Sequence, residues 1–386
     1  MTLLAVAALS ARMLAESARA DGFEVAALDL FGDADTRRAC SQWLPIGRPE
    51  ALHIDDALFL SALNAVVQRG GAVGWIAGSG FEGRPDLLER GAALLPLIGT
   101  PADVVRRVRD PQTFFDVLGA HGIAHPPIQT TPPDDPVGWL VKDSRGCGGW
   151  HIRRVTKKRA APQAGPLPAH HYFQREVSGT PMSATFIANC SDARVLGFNR
   201  LTVRRISARP FVFCGVVGPV PLAPDVARRV TTAVRDLAAA FSLRGVCSLD
   251  FMLDGDTFRV LEVNPRPPAS MALYGGRAPG VVSAHVRACL HDELPPWPEP
   301  AANAPADNTV RGTEIVFAVA PFWLDEPGAR RLASHADRHD LPAGATGFET
   351  GDPLCSVSAS GANAEHVLAL LARGREAVYQ SLETPS

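Results

Sequence analysis

The sequence predicts a mixed α/β and α+β protein: a parallel sheet with helices first, then antiparallel strands and hairpins, then a small closing module. Three observations carry this expectation. Strand-like apolar runs alternate with helical patterns over the first hundred or so residues, which is the signature of βαβ units. From residue 101 onward the alternation gives way to prolines, glycines and strands parted by short turns. A Pro/Ala-rich stretch at 292–308 then sets off a last strand-and-helix segment.

The elements follow in order. Residues 3–9 (LLAVAAL) form an apolar strand, and 10–20 a helix opened by Ser10 as N-cap and ended by Gly22. "FEVAALDLF" is the next strand, "AVGWIAG" (72–78) another, "RPDLLERGAALL" a helix and "LPLIG" a short strand. "AALSARML" stands where a Gly-x-Gly-x-x-Gly would follow the first strand, so no dinucleotide fingerprint is present. The glycine-rich "GSGFEG" (78–83) reads equally as a plain turn or as a loop facing a substrate.

Further on, a helix around 111–121 ends at Gly122, and "IAHPPIQTTPPDDP" is an extended, proline-stiffened connection. "VGWLVKDSRGCGGWHIRRV" is strand, glycine-rich turn, strand, and 156–171 is a basic, mobile loop. "YFQREV", "SATFIAN" and "RVLGFNRLTV" are strands; 224–241 is a long helix leading into "GVCSLDFML" and "TFRVLEVN". After the linker come a strand, loops and the helix "NAEHVLALLARGREAVYQSL".

Composition excludes several classes. With 46% hydrophobic and 20% charged residues, the chain is an ordinary globular one of more than one domain. A net charge of −2 offers no footprint for nucleic acid or a membrane surface. Seven scattered cysteines without a C-x-x-C pair fit neither a zinc site nor a disulfide framework, and point to a reducing cytoplasm. The start, "MTLLAVAALSARMLA", lacks a basic n-region and reads as strand then helix, not as a signal peptide.

The chemistry concentrates in two places. In "SLDFMLDGDTFRVLEVNPR" the Asp254-Gly255-Asp256 turn joins two apolar runs. Glu262 and Asn264 share a face, and Arg266 follows on the same parity. A strict two-residue turn would set Asp250 opposite Leu261, so a three-residue loop is expected, bringing Asp250 onto that face. Three such oxygen donors suit Mg²⁺, and an arginine beside them can fork onto phosphate. The bland alternative is an edge hairpin with a solvated face. Unpaired carboxylates beside Phe251, Val260 and Val263 weigh against it. The second place is "LVKDSRGCGGWHI", where Lys142 ends a strand ahead of Gly146, Gly148 and Gly149. Glycines admit phosphate to backbone N–H groups and the lysine adds a point charge.

Lys142 with its glycine loop, the strand Gln174–Val177 and "GVCSLDFML…FRVLEVNPR" together resemble the ATP-grasp superfamily of carboxylate–amine ligases. The resemblance implies an ATP-grasp fold: a pre-ATP-grasp domain at 1–98, a two-lobed nucleotide clamp at 99–291 and, after the linker, a module at 309–386 similar to the closing segment of biotin-carboxylase-like members. It implies ATP with Mg²⁺, or Mn²⁺ in its place, held by Asp250, Glu262 and Asn264. Lys142 would contact the phosphates under the loop Arg145, Gly146, Gly148 and Gly149, and Arg266 would stabilise the phosphorylated carboxylate. Gln174, Arg175, Glu176 and Val177 would line the adenine pocket, and Arg200 and Arg204 are either ligand contacts or surface charges.

Departures are also visible. Many members carry Glu where Gln174 stands and a ribose-binding acid near Met182 and Ser183, and the early clamp lysine has only Arg106, Arg107 and Arg109 as local cations. The expected reaction joins a small carboxylate to an amine through an acylphosphate, releasing ADP. The texture also resembles members that join glutamate to an aromatic amine in methanofuran-type cofactor synthesis. A bicarbonate-activating carboxylase and a non-catalytic ATP-binding scaffold are the alternatives, and a homodimer is implied by the habit of relatives. Cys147 and Cys247 are expected to be structural thiols.

Overall fold

The computed structural model describes residues 1–49, 52–156, 170–298 and 309–383. Most of the loop expected at 156–171 and the second half of the linker fall outside the described residues. The first part is the expected parallel sheet, in the order Gln42–Pro45, Glu24–Asp29, Leu3–Ala7, Ala72–Ala77. Strand Leu3–Ala7 has no exposed residue, because helices cover both faces. The chain winds outward to one side of that strand and then returns to its other side. The loops after Leu3–Ala7 and Ala72–Ala77 therefore part at a topological switch point, where such sheets bind ligands.

Two local expectations fail for tertiary reasons. Ser10 does not cap the first helix, which runs Arg12–Ala20 with Ala11 at the N-cap. Buried Asp29 takes the amide of Ala11 instead (2.9 Å), and Ser10 turns away to Asp340 (3.3 Å). "LPLIG" is not a strand; a single parallel bridge from Leu97 to Trp75 is all it forms. The prolines and short apolar run could not reveal that it lies at the sheet margin.

Two antiparallel sheets follow. The smaller has the order Ile128–Gln129, His171–Arg175, Trp139–Asp143, Arg153–Arg154. The larger begins with Thr257–Asn264, Arg244–Asp254, Thr180–Asn189, Ala193–Ile206 and Arg209–Gly218. Helix Pro224–Phe241 lays Val230, Val234, Leu237 and Phe241 on it, at the spacing of one apolar helix face. The closing module continues the same sheet: Val310–Phe317 pairs with Arg209–Gly218, and Pro353–Gly361 pairs with Val310–Phe317.

A buried histidine joins the parallel-sheet region to the large sheet. His285 on helix Val281–His291 accepts from the Val246 amide at Nδ1 (2.8 Å), so its Nε2–H donates to the Ile98 carbonyl (2.9 Å). Burial pushes its pKa down to about 4. Unfolded, the imidazole protonates near 6.5, so this group's contribution is present above that pH and is lost as pH falls from 6.5 toward 4. His285→Ala should destabilise the fold by about 2–4 kcal/mol, through a cavity and two orphaned backbone groups. A denaturant-midpoint shift under ~1 kcal/mol would contradict this account.

Candidate active site

The register of the acidic hairpin corrects one expectation and keeps its consequence. Asp254 pairs with Thr257, so the turn has two residues, not three. Gly255 at its first central position has φ 56°, as a type II′ turn demands. The parity is restored further along, by a β-bulge. Phe251 pairs with Val260, Leu261 is extra, and Asp250 then stands opposite Glu262. The bulge re-aims the strand, so both Leu261 and Glu262 line the cleft while Val263 returns to the core.

Asp250, Glu262 and Asn264 thus meet on one face. Asn264 Nδ2 donates to Asp250 Oδ2 (3.1 Å) and to Ser248 Oγ (3.3 Å), and Ser248 donates to Asp250 Oδ1 (3.2 Å). The amide nitrogen being committed inward, Asn264 Oδ1 is left for the cleft. Burial, and then the charge of Glu262, push Asp250 up to about 7. Burial raises Glu262 as well, but Arg109 and Lys142 outweigh it and hold this carboxylate below the usual range. Two abutting carboxylates with open oxygens are a site that gains stability from a hard cation, and the donor set fits Mg²⁺.

A cation held by Asp250, Glu262 and Asn264 would displace the Asp250 proton. Affinity for Mg²⁺-nucleotide should therefore be full above pH ~7 and weaken as pH falls below it, by up to about tenfold per unit. Titrations between pH 5.5 and 8 check this; a flat profile would contradict it.

Lys142 lies in strand Trp139–Asp143, is 4% exposed and lines the same cleft. Burial lowers its pKa, opposed by Glu262. Its ammonium forms no hydrogen bond or ion pair among the described residues. A buried charge in that state is costly unless a ligand completes it. The glycine loop beside it is built for close approach. A Cβ on Gly146 would enter the His151 ring, and one on Gly149 (φ 74°) the Phe211 carbonyl. Arg145 stays about half exposed and folds back on Asp143.

Gln174, Arg175, Glu176 and Val177 line the cleft, but two of their amides are spent. Arg175 N–H goes to Pro127 O (2.9 Å) and Glu176 N–H to Gly138 O (2.8 Å), leaving that of Val177. The Glu176 carboxylate is forked onto Arg154. Gln174 is 1% exposed and its Nε2 is buried without a partner, a donor suited to a ring nitrogen of a purine. Met182 and Ser183 line the cleft without supplying an acid.

Three cations sort themselves differently from their sequence neighbours. Arg106 is exposed and pairs with Asp86, and Arg107 lies over the Phe241 ring. Arg109 turns inward to Ser144 O (2.7 Å), Gly146 O (2.6 Å) and Glu262 (3.3 Å), tying the glycine loop to the metal-type carboxylate. Sequence reasoning named it only as one cation of three. Its spacing, four residues after buried Val105, was the signal available.

Arg266 is held by Glu82 of "GSGFEG" (2.6 Å) and keeps Nη2 uncommitted. Ser79, Gly80 and Gly83 also line the cleft, so that loop is part of the site. Arg200 pairs with exposed Glu365 and Arg204 with buried Glu314, so both serve the closing module.

Burial pushes Cys147 and Cys247 each up to about 12, which keeps them protonated thiols. The cleft as a whole measures about 2160 Å³, above the ~1,000 Å³ of an ordinary ligand pocket. It has room for a nucleotide and further molecules. No helix among the described residues is long and apolar enough to cross a membrane.

A family profile described as an ATP-grasp domain matches residues 109–270. The carbamoyl phosphate synthase large chain of Beutenbergia cavernae is 26% identical over 221 residues, covering 51% of this chain and 20% of its own length. This chain therefore spans about a fifth of that relative. The biotin carboxylase domain of a single-chain bacterial carboxylase superposes with TM-score 0.69 at 17% identity, covering 98% of this chain and 88% of that one. An L-amino acid ligase from Bacillus licheniformis gives TM-score 0.68 at 15% identity, covering 98% and 97%.

Proposed function

The chain carries an ATP-grasp domain, and on that premise we propose that it is an ADP-forming ligase joining a small carboxylate to an amine through an acylphosphate. The observation that carries the reading is the convergence of Asp250, Glu262 and Asn264 with the unpartnered ammonium of Lys142 in one cleft. Bound Mg²⁺ would neutralise the nucleotide phosphates at Asp250, Glu262 and Asn264. Lys142 holds the phosphates from the strand side, and the loop from Arg145 to Gly149 covers them. Gln174 and the Val177 amide read the base, with Leu261 beneath it.

The carboxylate oxygen attacks the γ-phosphorus, ADP leaves, and the Nη2 edge of Arg266 steadies the charge on the new acylphosphate. A neutral amine then attacks the acyl carbon, the acyl C–O bond breaks, and the departing phosphate takes up the proton lost from nitrogen, leaving the amide. No protein nucleophile is required, which agrees with the protonated state of Cys147.

ADP release measured with a panel of acids, each with and without amines or bicarbonate, tests the proposal. Amine-dependent turnover supports it. Bicarbonate dependence would indicate a carboxylase instead, and nucleotide binding without turnover would indicate a scaffold.

A further inference from the structure

The cleft continues beyond the hairpin. Its far end lies between the carboxyl edge of the parallel sheet and strand Pro353–Gly361, lined by Ser10, Arg12, Asp33, His339 and Asp340. Carboxylates crowd here, and most are committed to holding the N-terminal and closing parts together. Asp340 accepts from Arg12 Nε (2.8 Å) and Nη2 (3.2 Å), and from Ser356 (2.5 Å). Glu16 accepts from Arg12 Nη1 (2.8 Å). Asp35 takes the amides of Asp340 (2.8 Å) and Leu341 (3.1 Å), and His339 Nε2 meets Ser358 (2.8 Å).

Asp33 is the exception. It stands between the strand Glu24–Asp29 and the helix Ala34–Ala39, in the N-cap position, yet its side chain caps nothing. It is 8% exposed and lines the cleft. Its carboxylate accepts no hydrogen bond and forms no ion pair among the described residues. Burial first, then the charges of Asp340, Asp29 and Asp35, hold its pKa well above the usual carboxylate range; Arg12 opposes them. A carboxyl group left in that state costs stability unless a ligand completes it.

We propose that Asp33 anchors an ammonium group of the amine co-substrate, distinct from the neutral nitrogen that attacks, at the end of the cleft where the parallel sheet meets the closing module. The negative surroundings favour a cation, and a compact ammonium with three donors suits a carboxylate with free lone pairs. A divalent ion fits less well. Glu16, Asp35 and His339 offer ligand atoms within 4.8 Å of one another, but Glu16 and Asp35 are already spent on Arg12 and on backbone amides. The assignment rests on the ligase reading only for the ligand being a substrate.

The test therefore reads binding, not turnover. The full chain, saturated with MgADP, is titrated calorimetrically with butylamine, benzylamine and ethylenediamine, and with butanol and benzyl alcohol as neutral counterparts. At least one amine should bind, the alcohols should not, and Asp33→Asn should weaken the amine by about tenfold or more, the worth of one charge-assisted hydrogen bond. That variant should melt no lower than wild type, since it removes a repelled carboxylate, and this shows it folded. Equal affinity in both proteins, or no amine binding at all, overturns the proposal. So does Mn²⁺ binding alone at a second site that Glu16→Gln removes. Amine binding through Asp33 with no acid–amine pair driving ADP release would discard the ligase reading and leave this cation site standing.

Discussion

Glu262→Gln is expected to slow ADP release from MgATP by on the order of 10³-fold, roughly 4 kcal/mol of transition-state stabilisation at ~1.4 kcal/mol per tenfold. The glutamine keeps the size of the side chain and one oxygen but removes the charge set against the metal. It also unbalances the cleft, because Arg109 and Lys142 both lean on this carboxylate. Asp250 should respond in the same variant. Without the neighbouring charge its pKa falls from about 7, so residual metal binding should persist to lower pH than in wild type. Full activity in Glu262→Gln would remove the metal assignment.

Lys142→Met should lower kcat/KM for ATP by roughly 10²–10³-fold, and at the same time raise thermal stability. The two effects have one cause. The ammonium is buried and lacks a hydrogen-bond partner, and burial lowers its pKa. A charge so placed is disfavoured in the folded state until phosphate arrives. The sign follows. The penalty is complete below the folded pKa and vanishes above the unfolded value of 10.5. The stability gain of Lys142→Met should thus be largest near neutrality and fade toward pH 10.5. Melting curves across that range, beside steady-state rates, measure both halves. A variant that loses both stability and activity would mark Lys142 as a structural residue.

How much of this was legible depends on how local each signal is. Glu262 and Asn264 could be placed on one face because strand side chains alternate, and that rule needs no tertiary knowledge. The presence of Asp250 on the same face was also legible, from chemistry, but its means was not. A turn and a bulge correct parity equally well, and only the pairing of Phe251 with Val260 shows that Leu261 is the extra residue. Lys142 was found because its strand and glycine loop are contiguous in sequence.

Arg109, Glu82 and Asp33 act across long separations. Arg109 reaches Glu262 only after helix Ala102–Arg109 packs, and the three arginines of that helix look alike until its buried face is known. Glu82 meets Arg266 across 184 residues. The failed N-cap at Ser10 belongs to the same class, since Asp29 and Asp340 compete for the groups involved. The parallel sheet was readable from its apolar runs. That the closing module extends the large sheet was not, because the pairing of Val310–Phe317 with Arg209–Gly218 crosses the linker.

The central claim is that this cleft moves the γ-phosphoryl group onto a substrate carboxylate. Isotope transfer tests it most directly. Once the acid panel has supplied a turnover-competent carboxylate, that acid is labelled with ¹⁸O in both carboxyl oxygens and turned over with MgATP and amine. The released phosphate is then examined by mass spectrometry. Each phosphate released should carry one ¹⁸O, transferred when the acylphosphate C–O bond breaks, and Glu262→Gln should release such labelled phosphate on the order of 10³-fold more slowly. Phosphate free of label during full wild-type turnover would show that no acylphosphate forms and would contradict the account.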